Sequence, residues 1–543
     1  MPAPQTSRTL PVPSARPRRI AVVGGGISGL SAAWAAHRAD PGAEIVVLEA
    51  GAQLGGCLRH TDLGGWAGAG ADAGAEASLA VRPEVRGLAA ELGLEPVFPD
   101  PAQASQLYLD GAMHPMPQGT LMGVPGDPEA LRGLLPAADV ERVGAEVLTA
   151  PVAGDTAVGE FLAARLGDAV VDRVIDPLVG GVYAGRCREL SLAATVPALL
   201  PAAREGTSVL EAVRAVRAER SAARGANVPG TQAAHAAPVF LSFRGGISAL
   251  VPALEAALRA AGVRVRTGTR VEALAPRPER RGRAGRPGGW ELALRAEGAR
   301  RGSLAFGGAH EALRVDDVVL AVPAHAAAPL LSGAAESAEP TAAAGEPSTA
   351  AGVHAAALAA AAHRLAAVPY ADSALVTAVL RTRGELRGSG FLVPPVEETF
   401  IKASTYASNK WPWLAAELPA GHAVVRMSIG RHGDAHWQRL PDAELAERAL
   451  ADWMAITGRA DTVVHTEVQR WTAALPQYAP GHLEAAADLD AVLGSVPGLA
   501  LAGSALDGVG IPACIARART AVGRLLRPAR STSPHVEHHQ PKE

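Results

Sequence analysis

The sequence predicts an α/β protein made of a discontinuous parallel-sheet domain, a mixed-sheet domain and a helical lobe. Residues 19–50 pass from a β-branched run through a glycine turn and an alanine-rich helix into a second apolar strand, which is the pattern of a βαβ unit. Two further buried-strand patterns, in residues 316–323 and 498–503, lie far downstream. The parallel sheet is therefore expected to be assembled from separated stretches of the chain.

The composition is that of a large globular protein. The 543 residues are 48% hydrophobic and 19% charged, and the formal net charge of −3 conceals no basic block. A nucleic-acid partner is therefore not expected. Three cysteines, Cys57, Cys187 and Cys514, are too widely spaced to form a Cys-x-x-Cys pair, so we predict no metal site and a reducing, cytoplasmic location.

The apolar runs are too short to cross a membrane. The longest, such as residues 355–362, stop well below the roughly 18 residues that a bilayer requires. The N-terminal residues are rich in Pro, Ser and Arg and lack the apolar core of a signal peptide. We expect at most peripheral contact with a membrane.

Patterning along the chain predicts the domain boundaries. Helical spacing dominates residues 128–200, a strand–turn–helix–strand unit begins at residue 238, and alternating strands fill residues 370–480. Residues 217–237, 276–289 and 332–352 have low complexity and are predicted to be connections or surface loops. The predicted order is a disordered tail (1–17), a first nucleotide-domain segment (18–100), a helical and substrate lobe (101–237), a second nucleotide-domain segment (238–325), a substrate domain (326–480), a third nucleotide-domain segment (481–527) and a disordered tail (528–543).

Three glycines indicate what the parallel sheet binds. Gly24, Gly26 and Gly29 form Gly-x-Gly-x-x-Gly between a strand and a helix, where they permit a tight turn, approach of a pyrophosphate and close helix packing. Glu49 ends the next strand, where a carboxylate accepts hydrogen bonds from ribose hydroxyls. This context favours a Rossmann-like dinucleotide site over an ordinary turn at the start of a helix.

Further segments narrow the class. A second glycine pair, Gly55 and Gly56, follows the acidic strand in LGGCLRH, and this extended pattern resembles the two-dinucleotide-binding-domain flavoproteins of the amine oxidase superfamily. The resemblance to the protoporphyrinogen oxidase family covers roughly residues 18–527. It is carried by LYLDGAMHPMPQGTLMGVPGD, DPLVGGVYAGRCRELSL, SNKWPW, RWTAALPQYAPGH and GSALDGVGIPACI.

The resemblance implies a Rossmann-like FAD-binding domain and oxygen-dependent oxidation of a porphyrinogen in haem biosynthesis. The flavin would accept the hydride, so no side chain is predicted to be catalytic. The Ala, Gly and Arg content is typical of a high-GC genome, and relatives from such bacteria commonly act on coproporphyrinogen III. The implied partners are the tetrapyrrole, dioxygen and, transiently, the next enzyme of the pathway, a ferrochelatase.

The resemblance also assigns cofactor-binding residues. Beside the glycine motif and Glu49, it places Gly74 to Ala77 near the flavin, the backbone of Val271 at the adenine, and Val509 to Ile511 at the isoalloxazine end. Val271 and Trp471 fit ordinary core positions equally well. The full predicted set is Gly24, Gly25, Gly26, Ile27, Ser28, Gly29, Glu49, Ala50, Gly56, Cys57, Gly74, Ala75, Glu76, Ala77, Val271, Trp471, Gly503, Val509, Gly510 and Ile511.

A tetrapyrrole needs apolar walls and cations for its propionates. Leu178, Phe391 and Leu392 are the predicted walls, with ordinary core packing as the alternative. Some relatives carry a cation just before the segment that matches LYLDG, but Ser105 and Gln106 stand there in this chain. Arg59, Lys402 and Arg426 are the candidate substitutes, of which Arg59 is placed in the predicted pocket, with a solvated surface charge as the favoured alternative for each.

Three other functions remain open at this level. Protoporphyrinogen IX is the alternative substrate, and an amine oxidase or carotenoid desaturase is the alternative enzyme on the same scaffold. The third is a flavoprotein that holds a porphyrin without oxidising it. Turnover distinguishes this binding protein from an enzyme.

Overall fold

The computed structural model describes residues 16–68, 70–225, 238–277, 289–296, 311–338 and 349–527. It has the predicted α/β class, with a parallel sheet, a mixed sheet and a helical lobe. The predicted tails fall on residues outside these ranges, except for residues 16 and 17.

A five-stranded parallel sheet forms the centre of the nucleotide-binding unit. Its three central strands are rich in β-branched residues and are buried on both faces, as parallel strands covered by helices are. In spatial order the strands are Arg264–Arg266, Glu44–Leu48, Arg19–Val23, Asp317–Leu320 and Leu499–Leu501. Neighbours in this sheet therefore come from widely separated regions of the chain.

Four helices cover one face of the parallel sheet, and their apolar residues share one core with it. They are Ile27–Ala39, Pro83–Leu92, Leu250–Ala260 and Ile511–Leu526. The second helix ends at Gly93, whose φ of 71° gives the left-handed cap expected from its glycine. The first and last helices pack against each other, although the sequence separates them by more than 450 residues.

A three-stranded antiparallel sheet and three helices cover the opposite face and form a second core. The strands are Thr269–Pro276, Trp290–Ala296 and Glu311–Val315, and the helices are Ala324–Ala338, Thr349–Ala366 and His482–Leu493.

A seven-stranded mixed sheet makes the second large unit. Its strands are, in spatial order, Thr462–Pro476, Tyr370–Arg381, His422–Ile429, Ala403–Tyr406, Gly390–Leu392, Ser105–Leu109 and Ala112–Pro115. All neighbours are antiparallel except Gly390–Leu392 with Ser105–Leu109. The helix Asp442–Thr457 packs its apolar face onto this sheet.

The helical lobe has its own apolar core. Its helices are Ala137–Gly144, Val158–Leu166, Asp168–Val170, Asp176–Tyr183, Leu192–Thr195, Leu200–Glu205 and Val209–Gly225, with a π-helical turn at Val171–Ile175. Short helices Ala407–Lys410 and Pro412–Ala415 and 3₁₀ turns Leu63–Gly65, Pro128–Leu131, Pro197–Leu199, Ile247–Ala249 and Pro395–Glu397 connect these units.

Short strands complete the fold. They are His60–Thr61 with Ala71–Asp72, Thr120–Leu121 with Val124–Pro125, and Phe240–Phe243 between Ser78–Leu79 and Pro96–Val97. Within the residues that the structure describes, no helix combines the length and apolar character needed to cross a bilayer.

Two predicted loops are partly wrong. Residues 332–338 and 349–352, expected in a surface loop, belong to the helices Ala324–Ala338 and Thr349–Ala366, because alanine is the strongest helix former even in a low-complexity stretch. Residues 217–225, expected in a flexible connection, continue the helix Val209–Gly225. Residues 226–237, 278–288 and 339–348 lie outside the described ranges of the chain.

Candidate functional site

The glycine motif closes the turn between the first strand and the first helix. Gly24 has a φ of 109°, and a Cβ atom there would lie 2.5 Å from the Ala321 carbonyl oxygen. Its N–H donates to the Leu48 carbonyl at 2.8 Å. A Cβ atom on Gly29 would lie 1.9 Å from the Gly24 carbonyl oxygen. Only glycine fits at these two positions, because the helix begins in contact with the strand it follows.

The amino end of the helix Ile27–Ala39 is open to an anion. No side chain caps it, and its first turn contains no acidic residue. A Cβ atom on Gly26 would meet nothing closer than 3.9 Å. Unpaired N–H groups and the positive end of the helix dipole suit a pyrophosphate, so these residues fit the phosphate end of a dinucleotide.

Glu49 is held beside this turn by backbone donors. Its carboxylate accepts N–H hydrogen bonds from Gly25 at 2.7 Å and from Gly51 at 2.6 Å. A carboxylate has room for about four hydrogen bonds, so acceptor positions remain for ribose hydroxyls. Ala50 follows directly in the chain, and the arrangement fits the predicted ribose contact.

Val271 lies on the strand Thr269–Pro276, which begins next to Glu49. The Glu49 carbonyl accepts the N–H of Thr269 at 2.8 Å, two residues before Val271. Val271 itself is buried at the start of a β-bulge. Its side chain belongs to the core, which leaves the predicted adenine contact to its backbone.

The glycine pair Gly55 and Gly56 contacts the first glycine motif. Gly55 donates to the Gly25 carbonyl at 2.8 Å, and Gly56 has a φ of 58° next to Gly26. The following residue, Cys57, accepts the N–H of Ala75 at 3.1 Å through its carbonyl. The structure thus brings residues 24–29, 55–57 and 74–77 together.

Gly74 lies between this segment and the mixed sheet. A Cβ atom there would lie 2.0 Å from the Cys57 carbonyl oxygen and 2.9 Å from the Trp471 ring. The indole N–H of Trp471 donates to the Ala73 carbonyl at 3.2 Å. Trp471 therefore packs against the predicted flavin segment from the strand Thr462–Pro476.

A second open helix end lies beside the first. Gly510 precedes the helix Ile511–Leu526, which has no side-chain cap and no acidic residue in its first turn. The Ser28 and Cys514 side chains, one from the first turn of each helix, are hydrogen-bonded. Gly503 has a φ of 125° just after the last sheet strand, and Val509 packs against the helical lobe.

Glu76 connects this segment to buried cations. It accepts a hydrogen bond from the Trp411 indole at 2.7 Å and lies 3.2 Å from Arg426 and 3.4 Å from Lys410. Burial opposes its ionisation, but Lys410, Arg426 and Trp411 outweigh burial and lower the pKa of Glu76. Arg426 also donates to the Gly74 carbonyl. The side chain of Glu76 thus holds the segment in place through protein groups.

Asp72 is a structural residue of the site that sequence reasoning missed. Its buried carboxylate accepts the N–H groups of Ile247 at 2.9 Å and Ser248 at 3.0 Å, at the entry to the helix Leu250–Ala260. Burial raises the pKa of Asp72 to about 7, although these hydrogen bonds favour the charged form. The Gly-Gly turn before Ile247 was a visible signal, because it indicates a helix start that needs a cap.

Asp72 makes stability depend on pH in a specific window. Its folded pKa of about 7 lies above the ordinary value near 4, so the folded protein binds an extra proton between these values. The stabilising free energy that comes from protonated Asp72 is fully present below pH 4 and is lost as the pH rises through 7. We expect wild-type stability to fall relative to Asp72→Asn from pH 5 to 7, by up to about 1.4 kcal/mol per pH unit. Denaturant titrations across that range check this, and parallel pH profiles would contradict it.

A cavity of about 780 Å³ lies where the helical lobe meets the mixed sheet. The three predicted wall residues, Leu178, Phe391 and Leu392, all line it. Leu178 comes from the helix Asp176–Tyr183, while the other two come from the strand Gly390–Leu392. The volume is within the range of roughly 300–1,000 Å³ that small-molecule sites occupy.

The predicted cations lie elsewhere. Arg59 donates to Gln53 and lines a separate polar pocket with Glu467. Arg426 is paired with Glu76 and donates to the Gly74 carbonyl. Lys402 donates to the Gly430 carbonyl, and burial lowers its pKa to about 7.

The cation that does line the cavity is Lys410, which sequence reasoning missed. Its only signal was its place in the SNKWPW segment.

A parallel sheet whose strands end at two open helix termini, with the Glu49 carboxylate beside them, is the arrangement of a dinucleotide-binding domain. The family model for flavin-containing amine oxidoreductases matches residues 27–526. The chain belongs to this family. It is therefore an oxidoreductase, and its cofactor is FAD, as the sequence predicts.

Named relatives agree with the predicted resemblance. The chain is 34% identical to a coproporphyrinogen III oxidase of Mycobacterium bovis over 517 residues, covering 94% of this chain and 98% of the relative. It is 29% identical to a protoporphyrinogen oxidase of Bos taurus, covering 94% and 98%. A solved structure from Exiguobacterium sp. 255-15 superposes with a TM-score of 0.72 at 27% identity, covering 93% and 98%.

Proposed function

We propose that this enzyme oxidises coproporphyrinogen III to coproporphyrin III in haem biosynthesis. Three steps each remove two electrons and two protons from the substrate and reduce one dioxygen to hydrogen peroxide. Bound FAD supplies the hydride acceptor for each step. The relatives named coproporphyrinogen III oxidase support the choice of substrate, and protoporphyrinogen IX is the second candidate.

The observation that carries the proposal is the cavity between lobe and sheet. A porphyrinogen is a wide, largely apolar ring, and the cavity has wide apolar walls with few polar groups. Met116, Met122 and Phe240 add flexible and aromatic surface to the three wall residues. These side chains bind and orient the macrocycle, and they exclude water from it.

We also propose that the predicted residues hold FAD and that the predicted domain boundaries apply, except that the helices Ala324–Ala338 and Thr349–Ala366 belong with the parallel sheet that they cover. The open helix ends at Gly26 and Gly510 would hold phosphate and isoalloxazine groups, and Glu49 would hold the ribose. Dioxygen as the acceptor and transient transfer of product to a ferrochelatase belong to the same proposal.

The proposal is tested by following porphyrin fluorescence and peroxide together in an aerobic assay of purified holoenzyme. We expect turnover of both porphyrinogens, with a higher kcat/KM for coproporphyrinogen III. A higher value for protoporphyrinogen IX would reassign the substrate. Oxidation of polyamines alone would favour the amine oxidase alternative, and porphyrin binding without anaerobic flavin reduction would favour the binding protein.

Filling the cavity should abolish turnover without removing FAD. Gly181 lines the cavity on the helix Asp176–Tyr183, and its Cβ position lies 3.9 Å from Leu392. The indole of Gly181→Trp would occupy space that the macrocycle needs. We expect kcat/KM to fall at least about 100-fold, because a blocked site forfeits several kcal/mol of binding. Steady-state kinetics at matched flavin content measure this.

The matched control is Gly87→Trp, on the exposed side of the helix Pro83–Leu92, where a Cβ atom has nothing within 4 Å. It should leave kcat/KM within about twofold of wild type. Retention of full activity by Gly181→Trp would place the substrate elsewhere.

A further inference from the structure

Lys410 presents an ammonium group to the cavity. It ends the short helix Ala407–Lys410, and its Nζ atom lies 5.1 Å from the ring centre of Phe240, another cavity residue. Its side chain is 16% exposed, so water screens its charge only partly. Among the described residues that line the cavity, only Asp100 and Lys410 carry charge.

The ammonium group of Lys410 has donors to spare. It has three N–H donors, and its hydrogen bond to Glu76 is 3.4 Å, which is long for a charge-assisted contact. Glu76 has a closer partner in the Trp411 indole at 2.7 Å and a second cation in Arg426 at 3.2 Å. An incoming carboxylate can therefore bind Lys410 while Glu76 stays paired.

The other nearby cations cannot take this role without breaking existing contacts. Arg426 is 6% exposed, and its guanidinium is shared between Glu76 and the Gly74 carbonyl. Lys402 is also 6% exposed and donates to the Gly430 carbonyl. Neither side chain lines the cavity.

We propose that Lys410 binds one carboxylate of the substrate and is the residue that selects carboxylated macrocycles. This inference rests on the proposed porphyrinogen substrate. The cavity offers one cation among its described residues, so it pairs one propionate, and Asp100 repels a second one near it. Both candidate substrates carry at least two propionates, so Lys410 selects acids over esters and does not choose between the two acids.

The test compares Lys410→Gln with wild type on coproporphyrin III and on its tetramethyl ester. Glutamine keeps a hydrogen-bond donor for Glu76 but removes the charge. Fluorescence titration of purified holoenzyme measures binding, and kcat/KM is measured for the corresponding porphyrinogens. We expect Lys410→Gln to weaken binding of the acid about 10- to 100-fold, as loss of a charge-assisted hydrogen bond does, and binding of the ester less than about twofold.

Two further variants make the result specific. Lys410→Arg keeps the cation and should recover most of the affinity for the acid. Arg132→Gln removes an exposed cation of the pair with Glu129 on the helical lobe, and it should leave both ligands unaffected. Flavin content and melting temperature, measured for each variant, show whether the segment around Glu76 is intact.

The outcomes separate this inference from the proposed function. Equal loss for acid and ester, or no loss for either, overturns the role of Lys410. Selective loss of acid binding in a protein that oxidises neither porphyrinogen supports Lys410 and sinks the proposed reaction. If Lys410→Gln loses FAD, the comparison is made with Lys410→Arg and wild type at rising salt, where an unchanged ratio of acid to ester affinity also overturns it.

Discussion

Gly29→Ala should yield a protein that cannot retain FAD. The added methyl group would lie 1.9 Å from the Gly24 carbonyl oxygen, and a backbone atom cannot move aside as a side chain can. Relief requires the helix Ile27–Ala39 to shift away from its strand, which displaces the N–H groups meant for the pyrophosphate. We expect the free energy of FAD binding to become less favourable by an amount near the upper end of about 1–3 kcal/mol. This change corresponds to roughly 100-fold weaker binding. Absorbance of the purified protein at fixed FAD concentration measures it.

A second glycine, Gly87, provides the control that shows whether loss of FAD is specific to substitution at Gly29. Gly87 is exposed within the helix Pro83–Leu92, and a Cβ atom there meets nothing within 4 Å. Gly87→Ala should therefore keep full flavin content and gain up to about 1 kcal/mol of stability. If both variants retain FAD equally, the contact between Gly29 and Gly24 does not control the site.

Glu76→Ala should cause the second large loss. It leaves Arg426, 6% exposed, with the Gly74 carbonyl as its hydrogen-bond acceptor and only a weaker attraction to Asp72, and it removes the ion pair with Lys410. Removing one partner of a buried ion pair costs about 3–5 kcal/mol, because the remaining charge stays desolvated. The lowered pKa of Glu76 keeps its stabilising contribution complete above the ordinary carboxyl pKa, so the full loss appears at pH 7. Denaturant unfolding followed by flavin fluorescence measures it.

Glu129→Ala is the control for the charge change, since Glu129 forms an exposed pair with Arg132. It should not alter the unfolding midpoint measurably. A midpoint for Glu76→Ala equal to that of the control would show that Arg426 finds another partner. It would also remove the argument that Glu76 fixes the flavin segment.

Local patterns predicted much of the nucleotide site. The spacing of Gly24, Gly26 and Gly29, with Glu49 after the next strand, depends on contacts within one βαβ unit, and such contacts are written into neighbouring residues. The walls Leu178 and Phe391 are predicted from the apolar surface that a tetrapyrrole needs. Their meeting in one cavity required the pairing of lobe and sheet.

The cation was missed for a physical reason. Lys410 and Glu76 are 334 residues apart, and only tertiary packing brings them together. In the sequence, the place of Lys410 in SNKWPW does not indicate which cavity its side chain lines. The helix misread at residues 349–352 has another cause, because low complexity resembles a loop but alanine favours a helix.

The order of strands in the parallel sheet has a consequence for biosynthesis. The helix Ile511–Leu526 packs against the helix Ile27–Ala39, which emerges from the ribosome more than 450 residues earlier. Non-local closure of this kind is slow and leaves apolar faces uncovered in the meantime. The packing around the first glycine turn can therefore be completed only after nearly the whole polypeptide has been synthesised. Because residues at the start of that last helix belong to the proposed flavin site, a chain truncated before it is expected to bind no flavin.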